Sequence, residues 1–239
     1  MSNEIRLGVI VPSVNIVVEE WYPGVVPEGV SVHFARMLIT DGSSPEKIIA
    51  MDREDGMRER SARSPVAGQT RLPMAAPHRA SSRAHDFDQH LRGEIRHIAG
   101  APATTATDSI FAACRALGLK RVTSISPYTE AVDEAEHRFF AAGGIETVAG
   151  AHLGITDGFR LAEPEPEAIL DLALSAWDPR SHGLVAACLN FRSHPIIEAL
   201  EARIGKPVVT STQAVLWHLL RLAVVNSPIP GFGRLLRKH

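Results

Sequence analysis

The sequence has few cysteines and no excess of charge of either sign. Only two of its 239 residues are cysteines, Cys114 and Cys188, and its formal net charge is −2. Two cysteines are too few for a disulfide framework or a structural zinc site, and so small a charge gives no sign of a nucleic-acid partner. The sequence therefore predicts a protein of the reducing cytoplasm that binds no nucleic acid.

Long apolar runs and glycine-rich phosphate loops are also missing. No stretch is long enough to cross a bilayer, and the first residues, Met1 to Glu4, lack the basic and apolar regions of a secretory signal. Neither a dinucleotide fingerprint nor a P-loop is present. His90 and His97 lie a heptad apart on one predicted helix face, but no third metal ligand accompanies them. We therefore expect no membrane association and no metal.

Strand and helix patterns alternate along most of the chain, which predicts parallel sheets with helices on both faces. The chain divides near Leu117 into two similar halves. The predicted strands are Ile5–Val11, Val30–Met37, Arg121–Ser126, Ile145–Ala149, Gly183–Ala187 and Pro207–Thr210. The predicted helices are Val14–Tyr22, Ser44–Arg60, His85–Ile98, one that ends at Leu117, Glu130–Ala142, Glu165–Trp177, Pro195–Arg203 and Gln213–Leu222.

Cys188 follows the apolar run Gly183–Ala187, and a predicted helix follows Cys188. In an α/β fold, the carboxyl end of a strand is where the functional site lies. A helix N-terminus favours an anion, either a thiolate or a substrate carboxylate. We therefore expect a reactive thiol with a lowered pKa at this position, although a free cysteine can also be a plain core residue.

The segment Ser61–Ala84 breaks the alternation. It contains four arginines, four serines and three prolines, but no Asp, Glu or Ile. The spacing of the other elements requires a buried strand near Val66–Ala76, and no suitable apolar run is present. A functional loop is one explanation, but structureless loops of this length are uncommon in compact domains. Our hypothesis is that the segment is translated in the wrong reading frame, which would deprive the first sheet of a central strand.

Several motifs outside that segment occur in one order that resembles a known family. They are Leu7–Asn15 with Glu19, Pro102–Thr107, Ser126–Tyr128, Ala187–Arg192, Gly205–Ser211 and the tail Gly231–Leu236. In this order they resemble maleate cis-trans isomerases and arylmalonate decarboxylases, which belong to the aspartate/glutamate racemase superfamily. The resemblance covers nearly the whole chain outside Ser61–Ala84.

The resemblance implies an α/β fold of two flavodoxin-like parallel-sheet halves, related by a pseudo-two-fold axis, with the active site in the cleft between them. Residues 1–117 with the C-terminal residues 217–239 would form the first half, which carries Asn15. Residues 118–216 would form the second half, which carries Cys188. The family uses no metal and no organic cofactor, and a homo-oligomer is one expected assembly.

The resemblance also implies the site residues and the substrate, a small mono- or dicarboxylate. Cys188 matches the catalytic cysteine of the second half, Asn15 a residue that binds substrate carboxylate, and Tyr128 a residue at the mouth of the cleft. The remaining candidates for the anion pocket are Ser13, Thr104, Thr105, Asn190, Ser211 and Thr212. From the residues alone, Ser13, Asn15, Thr104 and Ser211 can also be helix caps, and Tyr128 a packing residue.

One departure from the family pattern affects the expected reaction. Racemases and maleate isomerases have a cysteine in each half, and the first-half position falls inside Ser61–Ala84, which has none. Cys114 shares helical spacing with Phe111 and Leu117, so we expect it in the core. The leading prediction is a maleate isomerase-like enzyme without the first-half cysteine. The alternatives are a decarboxylase-like or racemase-like enzyme that uses Cys188, or a catalytically impaired, frameshifted homologue that binds carboxylates.

Overall fold

The computed structural model describes residues 5–37, 69–71, 89, 92, 93, 95–97 and 99–239. The predicted helix Ser44–Arg60 lies outside these residues, as does the segment Ser61–Ala84 apart from residues 69–71. Residues 89, 92, 93, 95–97 and 99 are helical, which agrees with the helix expected over most of that stretch. No helix in the described part of the chain is both long and apolar enough to span a membrane.

The first half forms a parallel sheet from four described strands in the order β2-β1-β3-β4. These strands are β1 (Ile5–Pro12), β2 (Val30–Met37), β3 (Gln69–Arg71) and β4 (Ala103–Thr105). Every residue of β1 from Leu7 to Pro12 is buried, as expected for a strand covered on both faces. The strand required near residues 66–76 is present as β3, which pairs with β1 and β4. The sheet therefore has a strand at this place, but a short one of only three residues.

The second half repeats this topology. Its strands are β5 (Arg121–Ser126), β6 (Glu146–His152), β7 (Gly183–Ala186) and β8 (Val208–Thr210). They lie parallel in the order β6-β5-β7-β8, so each strand has a counterpart in the first sheet. The predicted fold of two parallel-sheet α/β halves is confirmed.

The strand register makes β3 the counterpart of β7. Ala186 at the end of β7 pairs with Thr210, and Arg71 at the end of β3 pairs with Thr105. Cys188 follows Ala186 by two residues, and the same count along the sequence from Arg71 reaches Pro73. Pro73 lies outside the described residues. The sequence has no cysteine in the residues that directly follow β3, since Cys114 and Cys188 are its only two.

The helices that the structure describes without gaps are α1 (Val17–Trp21), α2 (Ala106–Ala116), α3 (Glu130–Ala142), α4 (Pro166–Ala176), α5 (Ile197–Ile204), α6 (Ser211–Leu222) and α7 (Gly233–Lys238). Helices α2 and α6 pack against each other, and each contacts both β4 and β8. One apolar core therefore includes side chains from both halves, such as Val9, Val185 and Leu216. The division into residues 1–117 with 217–239 and residues 118–216 stays a prediction, since α6 crosses position 216 as a single helix.

Candidate active site

A small cavity lies beyond the carboxyl ends of strands from both sheets, where parallel α/β folds bind ligands. Its volume is about 40 Å³. The residues that line it are Pro12, Val14, Asn15, Ala106, Thr107, Ile110, Tyr128, Glu136, Leu161, Cys188, Leu189, Asn190 and Ser211. Four of the predicted site residues are therefore brought together with Cys188 in one pocket.

Cys188 has an unusual backbone conformation at the wall of this cavity. Its φ angle is +86°, in a region that residues with a Cβ atom avoid because of steric crowding. Such a conformation costs about 1–3 kcal/mol and is found most often where function requires it. Since the side chain is only 5% exposed, the strained turn holds the thiol inside the protein, facing the cavity.

The electrostatic surroundings of the Cys188 thiol keep it protonated. Burial raises the pKa of the thiol to about 12. Hydrogen bonds from the Tyr128 hydroxyl and from the Asn190 backbone N–H favour the thiolate and lower the pKa, but their effect is smaller than that of burial. Glu136, once it is ionised, adds to the rise. The predicted lowering of this pKa by a helix N-terminus was wrong. A 3₁₀ turn, His194–Ile196, precedes α5, and the backbone donor to the thiol belongs to the turn that follows Cys188.

Tyr128 contacts the thiol directly and is more than a packing residue. It follows β5, the neighbour of β7 in the sheet, so its hydroxyl reaches the Cys188 sulfur. Burial raises the pKa of the Tyr128 phenol well above its usual range, and the neighbouring Cys188, Glu136 and Asp133 add to that shift. The hydroxyl is therefore a neutral donor at all ordinary pH values.

The two asparagines of the cavity have different hydrogen-bond partners. Asn15 is 2% exposed, and its Oδ1 accepts a hydrogen bond of 3.3 Å from the Val18 N–H in the first turn of α1. Asn190 joins the two halves: its Nδ2 donates to the carbonyls of Val14 and Gly158, at 3.0 and 3.2 Å. Its Oδ1 also accepts from the Ile16 N–H at 3.1 Å. Asn190 therefore positions the cavity wall, while Asn15 retains an amide NH₂ group that a ligand could accept from.

The cavity lies at the N-termini of α2 and α6, one from each half. Thr105 caps α2 by accepting from the Asp108 N–H, and Thr210 caps α6 by accepting from the Gln213 N–H. Thr107 and Ser211 in the first turns of these helices line the cavity. Helix N-termini present unpaired N–H groups and a partial positive charge. The site therefore has two dipole ends that suit an anion with two carboxylates.

Three of the predicted hydroxyls and Ser13 are not on the cavity wall. The Thr104 hydroxyl lies 2.9 Å from Nδ1 of His218, behind the site. The Thr105 hydroxyl is used in the cap of α2, and that of Thr212 pairs with the Thr210 hydroxyl at 3.0 Å. The Ser13 carbonyl accepts from Arg36. For these four residues the sequence motif indicated the right loops but not the direction of each side chain.

Glu136 lines the cavity and was missed in the sequence. It lies on α3, is 8% exposed, and burial, followed by the charge of Asp133, raises the pKa of its carboxyl to about 8. A signal was available. In the predicted helix Glu130–Ala142, residue 136 shares the apolar face with Phe139 and Phe140. An acidic residue on the buried face of a helix is uncommon without a partner or a function.

Cys114 and the histidines do not form a second centre. Cys114 on α2 has no exposed surface, and burial raises its pKa to about 12, so the expectation of a core cysteine is confirmed. Among the described residues, no group of three or more His, Cys, Asp or Glu side chains is arranged to hold a metal ion.

Fold and site together define a two-half α/β protein with a cysteine at a shared, anion-favouring cavity. The chain belongs to the arylmalonate decarboxylase family, whose sequence model matches residues 79–236. This confirms the resemblance noted in the sequence.

Individual relatives are enzymes of two activities. An arylmalonate decarboxylase from Bordetella bronchiseptica is 32% identical over 152 residues, which are 62% of this chain and 63% of that enzyme. The chain thus matches less than two thirds of that relative's length. A maleate isomerase from Pseudomonas putida is 27% identical over 255 residues, covering 99% of this chain and 98% of that enzyme.

A solved structure shows the same fold over the full length. It is a mutant maleate cis-trans isomerase from Nocardia farcinica with a covalently bound succinylcysteine intermediate. Its TM-score to this chain is 0.87, with 24% identity over 98% of this chain and 99% of that one. At this level of identity the likeness establishes the fold.

Proposed function

We propose that this protein is a cofactor-independent enzyme that decarboxylates a small malonate-type dicarboxylate, with Cys188 as the proton donor. The observation that carries the proposal is the buried thiol of Cys188, whose pKa of about 12 keeps it protonated at neutral pH. A protonated thiol is suited to give a proton to a basic carbon, whereas nucleophilic attack requires the thiolate. The match to the arylmalonate decarboxylase family supports this choice.

The reaction needs only the substrate, the thiol and water. Cleavage of the bond to one carboxylate releases CO₂ and leaves the electron pair on the adjacent carbon, delocalised into the remaining carboxylate as an enediolate. The proton of the Cys188 thiol passes to that carbon and forms the new C–H bond. The thiolate then regains a proton from water, so one proton is consumed for each CO₂ released.

The cavity supplies neutral donors for the retained carboxylate. We assign this role to the NH₂ group of Asn15, the hydroxyls of Tyr128 and Ser211, and the first N–H groups of α2 and α6. Donors fixed in a buried site stabilise developing negative charge without reorganisation. Thr104, Thr105 and Thr212 would support these helix N-termini from behind, and Ser13 and Asn190 would fix the loop after β1.

Maleate isomerisation is a second candidate, because the maleate isomerase from Pseudomonas putida matches 99% of this chain. The family mechanism with one cysteine in each half cannot operate here, since Cys114 has no exposed surface and does not line the cavity. Isomerisation by this chain would have to use the Cys188 thiolate alone. Its raised pKa predicts a low rate at neutral pH.

The test is to measure CO₂ release from phenylmalonate and conversion of maleate to fumarate by the purified protein. Cys188→Ser is the inactivated variant, and Cys114→Ser, which changes a residue remote from the cavity, is the matched control. Decarboxylation that is lost only in Cys188→Ser supports the proposal. If the protein converts maleate to fumarate but releases no CO₂ from phenylmalonate, it is an isomerase and the decarboxylase proposal is wrong.

Two other results would point to the remaining alternatives. Exchange of the α-hydrogen of an amino acid in deuterated water would indicate a racemase-like enzyme. Binding of a dicarboxylate with no turnover would indicate an impaired, carboxylate-binding homologue.

A further inference from the structure

Glu136 is a buried acidic side chain on the wall of the Cys188 cavity, and the mechanism above gives it no role. Its Oε2 atom is buried and has no hydrogen-bond partner among the described residues. Unpaired buried polar atoms are rare in native proteins, because burial removes their hydrogen bonds to water without replacing them. An unsatisfied carboxyl oxygen at a ligand cavity is therefore a candidate ligand contact.

The groups around Glu136 favour its neutral form. On its own helix α3 the charged neighbour is Asp133, which has the same sign. From the ends of β5 and β7, Tyr128 and Cys188 face it, and both are neutral. No lysine or arginine among the described residues forms an ion pair with Glu136.

The histidines near this carboxylate pair interact with Asp133. Nε2 of His137 lies 3.3 Å from Oδ2 of Asp133, and Nδ1 of His152 lies 3.8 Å from the same atom. The hydroxyl of Ser126 donates to Oδ1 at 2.6 Å. Asp133 is therefore the partnered member of the pair, and Glu136 is the unpartnered member.

We propose that Glu136 is a substrate-binding residue whose protonated carboxyl donates a hydrogen bond to a carboxylate oxygen of the ligand in the Cys188 cavity. This inference rests on the proposed function, in which the ligand is a small dicarboxylate. A neutral carboxylic acid can approach an anion and bind it, and the same group when ionised repels it. Glu136 thus makes occupancy of the cavity depend on pH, while Cys188 keeps its proton.

The experiment is a calorimetric titration with succinate, which has neither an alkene nor an activated carbon to react, between pH 6.5 and pH 9.5. A carboxyl that ionises near pH 8 should weaken wild-type binding about 30-fold by pH 9.5, because only the protonated fraction binds. Glu136→Gln keeps a neutral donor of the same shape, so its affinity should stay flat across this range. Glu136→Leu lacks the donor and should bind more weakly already at pH 7. Glu134→Gln, an exposed change on the same helix, should follow the wild type.

The outcomes separate the inference from the proposed function. If Glu136→Gln binds succinate with the same affinity and the same pH profile as the wild type, the role of Glu136 is overturned, but dicarboxylate binding by the cavity still stands. No succinate binding at any pH would overturn the proposed function and the inference with it. If Glu136→Gln does not fold, infrared titration of the wild type decides the point. Absence of a protonated carboxyl band that disappears on raising the pH through about 8 would refute the proposal.

Discussion

The hydroxyl of Tyr128 donates a hydrogen bond to the thiol of Cys188, and the two residues follow neighbouring strands of the second sheet. This bond favours the thiolate, so its loss should raise the pKa of the Cys188 thiol further. In Tyr128→Phe we expect alkylation of Cys188 at pH 9 to slow by about tenfold or more, the effect of losing a hydrogen bond to a charged group. The pH dependence of iodoacetamide labelling, followed by mass spectrometry, measures this. Equal rates in both proteins would show that the bond does not act on the thiol.

Labelling of the native protein should be slow and selective. Both thiols are buried with a pKa raised to about 12, and each lines a separate cavity. Within the described part of the chain, only the Cys188 thiol has hydrogen bonds, from Tyr128 and Asn190, that favour its reactive thiolate form. Cys188 should therefore react before Cys114, and a bound dicarboxylate should protect it. Peptide mapping after partial labelling checks the order, with Cys188→Ser as the control that should stay unlabelled until denaturant is added. If Cys114 reacts before Cys188, the assignment of Cys188 to the active site is wrong.

Asn15 should have separable roles in capping and in binding. Asn15→Ala loses the acceptor for the Val18 N–H and a ligand donor, and should weaken dicarboxylate binding by about 1.5–3 kcal/mol. Asn15→Asp keeps an oxygen for the Val18 N–H but brings a negative charge to an anion site. We expect it to melt like the wild type and bind worse than Asn15→Ala. Wild-type binding by Asn15→Asp, measured by calorimetry, would leave Asn15 with a structural role only.

Asn190 should act mainly on stability. Its side chain makes three hydrogen bonds, to backbone groups of Val14, Ile16 and Gly158. Truncation in Asn190→Ala leaves these groups unpaired and should lower the free energy of unfolding by about 2–4 kcal/mol. Denaturant titration measures the loss. Asn190→Asp is the comparison variant, because it keeps the acceptor for Ile16 but cannot donate to the two carbonyls. If Asn190→Ala is as stable as the wild type but no longer binds a dicarboxylate, Asn190 contacts the ligand directly.

The nucleotide sequence of the gene can show whether Ser61–Ala84 is translated in the wrong reading frame. Read from the third nucleotide of the Met74 codon, the sequence begins with GGC, a glycine codon, and continues with a codon ending in GC. That second codon is cysteine when the Ala75 codon is GCT. We expect resequencing from the source DNA to find compensating insertions or deletions that flank this segment, and a frame-restored protein to convert maleate to fumarate faster. A single reading frame that matches related genes throughout would eliminate the hypothesis.

The strands and helices of the second half were predictable because each strand has an apolar run and each helix has its own periodic pattern, although β7 and β8 are short. The strand Arg121–Ser126 and the helix Glu130–Ala142 have the predicted bounds. Strand β3 could not be recognised, since Gln69–Arg71 has no apolar run and forms a strand only because β1 and β4 lie on either side. Its place was predicted from the spacing of the neighbouring elements.

Site loops were predictable, but the direction of each side chain was not. Cys188, Asn15, Tyr128, Asn190 and Ser211 reach the cavity. Thr104 lies in an equally suggestive motif and turns its hydroxyl to His218, because residues that alternate along a strand point to opposite faces. The thiol pKa was mispredicted for a related reason: burial dominates it, and burial depends on the tertiary fold.

The two walls of the cavity are unequal, and this has a stereochemical consequence. Cys188 stands on the wall formed by the second half, and among the described residues no second thiol lines the cavity. A planar enediolate held between the walls would receive hydrogen on one face only. The product of a prochiral malonate should therefore be a single enantiomer, which chiral chromatography would distinguish from a racemate.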